Sequence, residues 1–215
     1  MGIRGQMTHN RQPATGNRQQ PIHIAIFASG AGSNAQKIID HFKNSDHIKI
    51  SLVVCNKPGA GVLEIAVKEN IPSLLIDKEK FFRGNGYTDE FKKTGIDWIV
   101  LAGFLWKIPE TLIKVYPGTI INIHPALLPN YGGKGMYGSH VHEAVIAAGE
   151  KESGITIHYV DGYYDNGDII FQARCPVLES DTPATLAARI HQLEHEHYPK
   201  VIKAVLNKEA KERNR

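Results

Sequence analysis

Three short stretches of the chain carry residue types that could do chemistry together. The first is Ala28-Ser29-Gly30-Ala31-Gly32-Ser33-Asn34, small residues directly after an apolar run and at the start of an amphipathic one. Glycines there let the backbone approach a ligand closely, and free N–H groups at a helix N-terminus suit an anion. The same residues also serve as a plain helix cap on a tight turn. Gly30-x-Gly32-x-x-Ala35 fits a relaxed dinucleotide fingerprint, but the second apolar run ends Val54-Cys55-Asn56-Lys57, where an acidic residue for a ribose diol is expected. A phosphate monoester is the better guest. The second stretch is Asn122-Ile123-His124-Pro125, where a period of two puts the amide and the imidazole on one side and the proline ends the strand. Such a pair can donate hydrogen bonds to a developing oxyanion. The third is Asp165, within Asp161-Gly162-Tyr163-Tyr164-Asp165-Asn166-Gly167-Asp168. Turn chemistry alone explains Asn166-Gly167, whereas Asp165 is the carboxylate that could reach His124 and favour its charged form.

The elements that must position these residues follow from periodicity. His23–Ala28, Lys49–Cys55, Ser73–Ile76, Trp98–Ala102 and Thr119–Ile123 read as strands buried on both faces. Between them Asn34–Lys43, Val62–Glu69, Thr88–Lys93 and Pro109–Val115 have helical spacing, and Gly138–Gly149 forms another helix. Alternation of this kind predicts an α/β fold, a Rossmann-like doubly wound and mostly parallel sheet whose ligands lie at the carboxyl ends of its strands. Gly154–Val160 and Asp168–Val177 are joined by a loop too short for a crossover, so they form an antiparallel hairpin near the C-terminus. Thr182–Leu206 closes the chain as a long helix, with Pro183 in its first turn and Pro199 marking a kink or break.

The chain has 215 residues, which favours one domain at about 100 to 200 residues each. Folding would bury about 70% of the unfolded surface, enough for a real core. The predicted organisation is a flexible polar tail over 1–20, a single catalytic domain over 21–207 and a charged tail over 208–215. No run approaches the roughly 18 consecutive apolar residues of a membrane helix, and residues 1–20 lack the apolar core of a secretory signal. The net charge of +3, from 25 basic and 22 acidic residues, is partly gathered in the termini and makes no basic face for nucleic acid. Cys55 and Cys175 are too few for a disulfide framework, so a reducing, cytoplasmic compartment is expected.

From His23 to about Leu206 the sequence resembles the phosphoribosylglycinamide formyltransferases, a branch of the formyltransferase family. The resemblance rests on Ser29-Gly30-Ala31-Gly32-Ser33-Asn34, on Asn122-x-His124-Pro125 with Leu127-Leu128-Pro129, and on His158-Tyr159-Val160 leading to Asp165. Leu101-Ala102-Gly103-Phe104 and Glu194-His195-x-x-Tyr198-Pro199 agree as well. The Asn-x-His with its distal Asp is shared by formyltransferases generally; the glycine-rich loop and the Glu194-His195 stretch pick out this branch. The resemblance implies formyl transfer from 10-formyltetrahydrofolate, as cosubstrate, to the amine of glycinamide ribonucleotide in purine synthesis. Asn122, His124 and Asp165 would be catalytic. The nucleotide would lie on Gly30, Ala31, Gly32, Ser33 and Asn34, with Glu194 near its ribose hydroxyls and His142 close by. The folate would lie against Leu105, Trp106, Lys107, Ile108, Val160 and Asp161, with Arg83 toward its glutamate. Trp106-Lys107 stands where the family often has a smaller apolar residue and an arginine, and Gly162-Tyr163 replaces acidic residues.

Other functions are weighed against this one. A formyltetrahydrofolate hydrolase would share the catalytic trio but is expected to carry an amino-terminal regulatory domain. A methionyl-tRNA formylase would want a carboxy-terminal RNA-binding extension, and a non-catalytic nucleotide-binding module has no use for the trio. No metal is expected: His191 and His195 are four apart on a helix, but the H-E-x-x-H order is absent. The expected partners are the two small substrates, without nucleic acid or membrane, in a monomer or weak homodimer. Gly132 to Gly138 reads as a permissive loop that could act as a lid.

Overall fold

The computed structural model describes residues 20–212, so all but the last residue of the predicted amino-terminal tail, and residues 213–215, lie outside the described part. Seven strands form one sheet in the order β3-β2-β1-β4-β5-β6-β7. β1 (Ile22–Ala28), β2 (Ile48–Cys55), β3 (Ser73–Leu75), β4 (Trp98–Leu101) and β5 (Ile120–His124) run parallel. β6 (Glu152–Tyr159) is antiparallel to β5, and β7 (Ile169–Pro176) is antiparallel to β6. The hairpin is as expected, and its first strand lies against β5, a neighbour that periodicity alone does not specify.

Side-chain alternation divides the core in two. Ile24, Ile26 and Ala28 of β1 face α1 (Ser33–Phe42), α2 (Gly61–Lys68), α6 (Ser139–Ala147) and α7 (Pro183–Glu212). Ala25 and Phe27 face α3 (Lys78–Arg83), α4 (Thr88–Lys93) and α5 (Glu110–Val115). A period of two on strands covered on both sides makes both sets apolar, which is why these runs read as continuously hydrophobic. β3 departs from that reading: as an edge strand it leaves Ser73 and Leu75 exposed. Helix α3 was not anticipated. Its six residues are mostly charged, and it is begun by the Asp77 carboxylate accepting from the Glu79 and Lys80 amides.

Pro199 neither breaks nor ends α7, which runs on to Glu212, so 208–212 continue the helix rather than forming a separate tail. Around the proline, packing outweighs the lost backbone bond: Tyr198 and Pro199 are buried, and the Tyr198 hydroxyl lies 2.9 Å from the carbonyl of Leu101 and 3.2 Å from that of Ile121. Burial holds this phenol well above the usual tyrosine range, so it stays a donor. Tyr198 thereby fastens α7 to β4 and β5, the two strands whose ends open into the functional cleft. Tyr198→Phe removes the donor and leaves both carbonyls without it. We expect a loss of about 1–3 kcal/mol, read as a lower urea midpoint with an unchanged slope.

Candidate active site

The strand order reverses between β1 and β4, and the connections that leave their carboxyl ends diverge to opposite faces of the sheet. A crevice opens there for topological reasons. The loop after β1 is tied to the loop after β4, with the Ser29 amide donating to the Gly103 carbonyl at 3.1 Å and the Leu105 amide to the Ser29 hydroxyl at 2.9 Å. The resulting cleft has a volume of about 520 Å³. Asn122 and His124 at the end of β5 line it together with His158 and Asp165.

The hydrogen bonds assign roles to the atoms of these side chains. His124 Nε2 lies 2.7 Å from the carbonyl oxygen of Tyr131, which can only accept, so Nε2 carries a proton. Nδ1 then faces Asp165 Oδ2 at 3.5 Å. His158 Nδ1 donates to the Tyr159 carbonyl at 2.8 Å, which leaves Nε2 to accept from Asn122 Nδ2 at 3.1 Å. One amide proton of Asn122 is thus fixed, and its amide group is aimed. Asp165 Oδ1 lies 3.7 Å from His158 Nε2, and Oδ2 accepts the Gly133 amide at 2.9 Å. The Asp165 side chain is only 12% exposed, not the open turn carboxylate that its Asn-Gly surroundings suggest. Its backbone is left-handed (φ 51°), a conformation that Asp tolerates better than most residues. Donors converging on one point beside a proton acceptor can stabilise an oxyanion and move a proton.

At the other end of the cleft, α1 begins at Ser33 after Gly32, whose φ is 83°. The first amide to find a helical carbonyl is that of Gln36, so those of Ser33, Asn34 and Ala35 precede the ladder. Asn34 Nδ2 donates to Glu194 Oε2 at 2.9 Å, and His191 Nδ1 lies 2.7 Å from the same oxygen. Glu194 Oε1 has no partner among the described residues, and Glu194 lines the cleft. A carboxylate so arranged can accept hydroxyl protons.

A sequence model described as "Formyl transferase" matches residues 22–202. The chain belongs to the formyl transferase family. It is 39% identical over 188 residues to the phosphoribosylglycinamide formyltransferase of Bacillus subtilis, covering 85% of this chain and 94% of that protein. Identity is 41% over 197 residues to the chloroplastic phosphoribosylglycinamide formyltransferase of Arabidopsis thaliana, covering 87% of this chain. The chain spans 66% of that plant relative's length and 60% of a second one, from Vigna unguiculata. A crystal structure of phosphoribosylglycinamide formyltransferase from Bacillus halodurans superposes with a TM-score of 0.79 at 38% identity, covering 86% of this chain and 96% of that one. The Rossmann-like, mostly parallel sheet with its antiparallel hairpin is the fold of the family.

Within this family member the structure gathers most of the sequence-derived residues. Asn122, His124, Asp165, Asn34 and Glu194 line one cleft, as do Leu105, Trp106, Lys107, Ile108, Val160 and Asp161. Gly30, Ala31, Gly32 and Ser33 form the turn beside the cleft and do not line it. Arg83 is elsewhere: its guanidinium lies 3.5 Å from the neighbouring Glu79 on exposed α3. His142 is buried behind the wall, with Nδ1 unpartnered. Lys107 Nζ sits 5.8 Å from the Tyr164 ring centroid at the rim. Gly133 to Gly138 line the cleft opposite, where a lid would be. Sequence reasoning missed His158 as the residue that orients Asn122, and His191, which it weighed only as a metal ligand. The spacing of three between His191 and Glu194 on one helix was the available signal. Among the described residues no group of three or more His, Cys, Asp or Glu is placed to hold a metal ion.

Burial lowers the pKa of both His142 and His158 below 6.5. Both are neutral in the fold and take up protons on unfolding, so their stabilisation is whole above pH 6.5 and declines as pH falls below it. His191 has the opposite sign, raised above 6.5 by its bond to Glu194; its contribution is whole below 6.5 and is lost only as pH rises through the raised value. The two windows therefore separate. The thermal unfolding midpoint should fall between pH 6.5 and pH 5, and His142→Gln should lessen that fall when the two proteins are scanned side by side.

Proposed function

We propose that this protein transfers the formyl group of 10-formyltetrahydrofolate to the primary amine of glycinamide ribonucleotide, giving formylglycinamide ribonucleotide. The observation that carries this reading is the convergence of Asn122, His124 and Asp165 on the same cleft that Asn34, at the start of α1, and Glu194 also line. A formyl-transfer trio and a phosphate-and-ribose subsite are thus within one substrate's reach. The amine nitrogen attacks the formyl carbon, and the carbonyl oxygen becomes an oxyanion that takes hydrogen bonds from the Asn122 amide and from an imidazolium His124 donating through Nδ1. The bond from carbon to N10 of the folate then breaks, and the proton the amine loses passes through intervening water and Asp165 to N10, which leaves protonated while Asp165 returns to its carboxylate. Leu105, Ile108 and Val160 offer the folate an apolar wall, and the Ser33 and Asn34 amides with the α1 dipole offer the phosphate its site. Glu194 Oε1 accepts from the ribose. In this reading the partners are the two small molecules alone, the protein is a monomer or weak homodimer, and the two free, buried cysteines suit a reducing cytoplasm.

The deciding experiment follows folate consumption with glycinamide ribonucleotide, with glycinamide lacking the ribose phosphate, and with no amine. Binding energy from the remote phosphate holds the amine near the formyl carbon, so loss of the nucleotide should lower kcat as well as raise KM. Rapid turnover is expected only in the first arm; equal rates in all three would make the protein a hydrolase.

Two variants probe the assigned groups. Asp165→Asn keeps the left-handed backbone accessible but gives up the proton acceptor, and kcat should drop by roughly 10²- to 10⁴-fold. Its amide oxygen can still accept from Gly133, so circular dichroism and the unfolding midpoint should stay close to wild type. The phosphate turn needs a careful choice. A Cβ on Gly32 would come within 2.9 Å of Val62 and Ile65, so Gly32→Val would also displace α2. A Cβ on Gly30 would meet no atom within 4 Å, and the backbone there has no positive φ, so Gly30→Val should fold normally. Steady-state kinetics on that variant should show KM for the nucleotide raised severalfold or more, with KM for the folate nearly unchanged.

A further inference from the structure

The segment from Tyr131 to Gly133 touches the catalytic pair at two atoms. The carbonyl of Tyr131 accepts from His124 Nε2 at 2.7 Å, and the amide of Gly133 donates to Asp165 Oδ2 at 2.9 Å. Tyr131 adopts a left-handed backbone (φ 57°), which a residue with an aromatic side chain holds only when its surroundings fix it. Two contacts fix it here. The ring packs against the core beneath the α1 and α7 face, and the hydroxyl donates at 2.8 Å to Oε1 of Glu150, in the turn that joins α6 to β6. The bond to Glu150 holds the Tyr131 phenol above the usual tyrosine range, so the group remains a donor at neutral pH.

The carbonyl decides a chemical question. With the proton on Nε2, the neutral imidazole bonds to Tyr131 and presents the Nδ1 lone pair to Asp165 and the cleft. With the proton on Nδ1, the Nε2 lone pair would oppose the carbonyl oxygen at 2.7 Å, two acceptors in repulsion. Only the first form leaves the unprotonated nitrogen where Asp165, 3.5 Å away, and the reacting atoms can exchange a proton with it. The neighbouring His158 has its own tautomer fixed independently, by the carbonyl of Tyr159.

We propose that Tyr131 is a positioning residue for the catalytic histidine: its phenol, anchored on Glu150, holds its main-chain carbonyl against His124 Nε2 and so sets which ring nitrogen carries the proton of the neutral imidazole. The kinetic part rests on the function proposed above, whereas the tautomer does not, and the two can fail separately. The groups facing the His124 ring are Asp165 from the hairpin loop, His158 from β6, and His142 from α6, which senses its charge.

The test compares wild type with Tyr131→Phe, Glu150→Ala and Glu150→Gln by nitrogen NMR of histidine-labelled protein and by pH-dependent kinetics. Wild type should show the neutral His124 protonated on Nε2. Tyr131→Phe and Glu150→Ala should show a mixture of tautomers, kcat lowered about fivefold, the scale of one modest hydrogen bond, and a displaced acid limb of the kcat profile, with both KM values within about twofold. Glu150→Gln, whose amide oxygen still accepts the phenol proton, should restore tautomer and rate toward wild type. A pure Nε2–H tautomer in both deficient variants overturns the proposal, whatever happens to the rate. So does a mixed tautomer with unchanged kcat and pH profile. Should Tyr131→Phe fail to fold, the two Glu150 variants carry the same test. Absence of formyl transfer by wild type would refute the function and leave the NMR comparison decisive for the tautomer.

Discussion

The Asp165 carboxylate is the junction on which the site depends. Its two oxygens meet His124 from β5, His158 from β6 and the Gly133 amide from the loop opposite. A carboxylate that is 12% exposed has given up most of its water, and the lost hydration must be replaced by directed donors. The Gly133 amide is one such donor and His124 Nδ1 becomes another when the ring is an imidazolium, so the hairpin turn, the strand end and the glycine loop must close on the same point. Gly167 shows how tight that closure is, because a Cβ there would overlap the Tyr159 carbonyl oxygen. The rest of the fold holds the backbones at the distances this requires.

That holding is done by apolar contact on the two sides of the sheet, with little help from surface charge. The Lys43–Glu69, Arg83–Glu79 and Arg174–Glu152 pairs each have at least one well-exposed partner, and such pairs contribute about 0–1 kcal/mol. The polar work is concentrated where a helix meets the sheet ends, in Tyr198 on the Leu101 and Ile121 carbonyls and in Glu194 between Asn34 and His191. α7 thus both covers the core and supplies a carboxylate to the cleft.

The parallel order was legible because β1, β2, β4 and β5 are buried on both faces and therefore strongly apolar, and the trio was legible because Asn122 and His124 share a strand's period. β3 misled because three residues at an edge carry the same apolar types as a central strand while leaving Ser73 and Leu75 in solvent. α3 was invisible because its formation depends on one cap and one buried residue, Phe81. The continuity of α7 through Pro199 is decided by tertiary packing, which propensity does not contain. In the site, His158, His191 and Arg83 mark the limit. Whether a polar side chain at a plausible position meets the cleft depends on where its element is placed: Asn122, 36 residues away in sequence, meets His158 across the β5–β6 pair, α7 carries the local His191–Glu194 pair to the cleft, and α3 leaves Arg83 exposed. The grip of Tyr131 and Gly133 on His124 and Asp165 uses backbone atoms, which every residue possesses and no sequence pattern announces.

Trp98 and Trp106, the chain's two tryptophans, occupy opposite environments. Trp98 is 1% exposed within β4, while Trp106 lines the cleft, tilted against Phe81 and Phe82 at centroid distances of 5.8 and 5.6 Å. Trp98 is therefore shut off from solvent, whereas Trp106 meets whatever enters the cleft. A ring seated beside Trp106 would quench it by direct contact, which the buried Trp98 does not allow. The fold thus carries its own optical reporter of occupancy and needs no label.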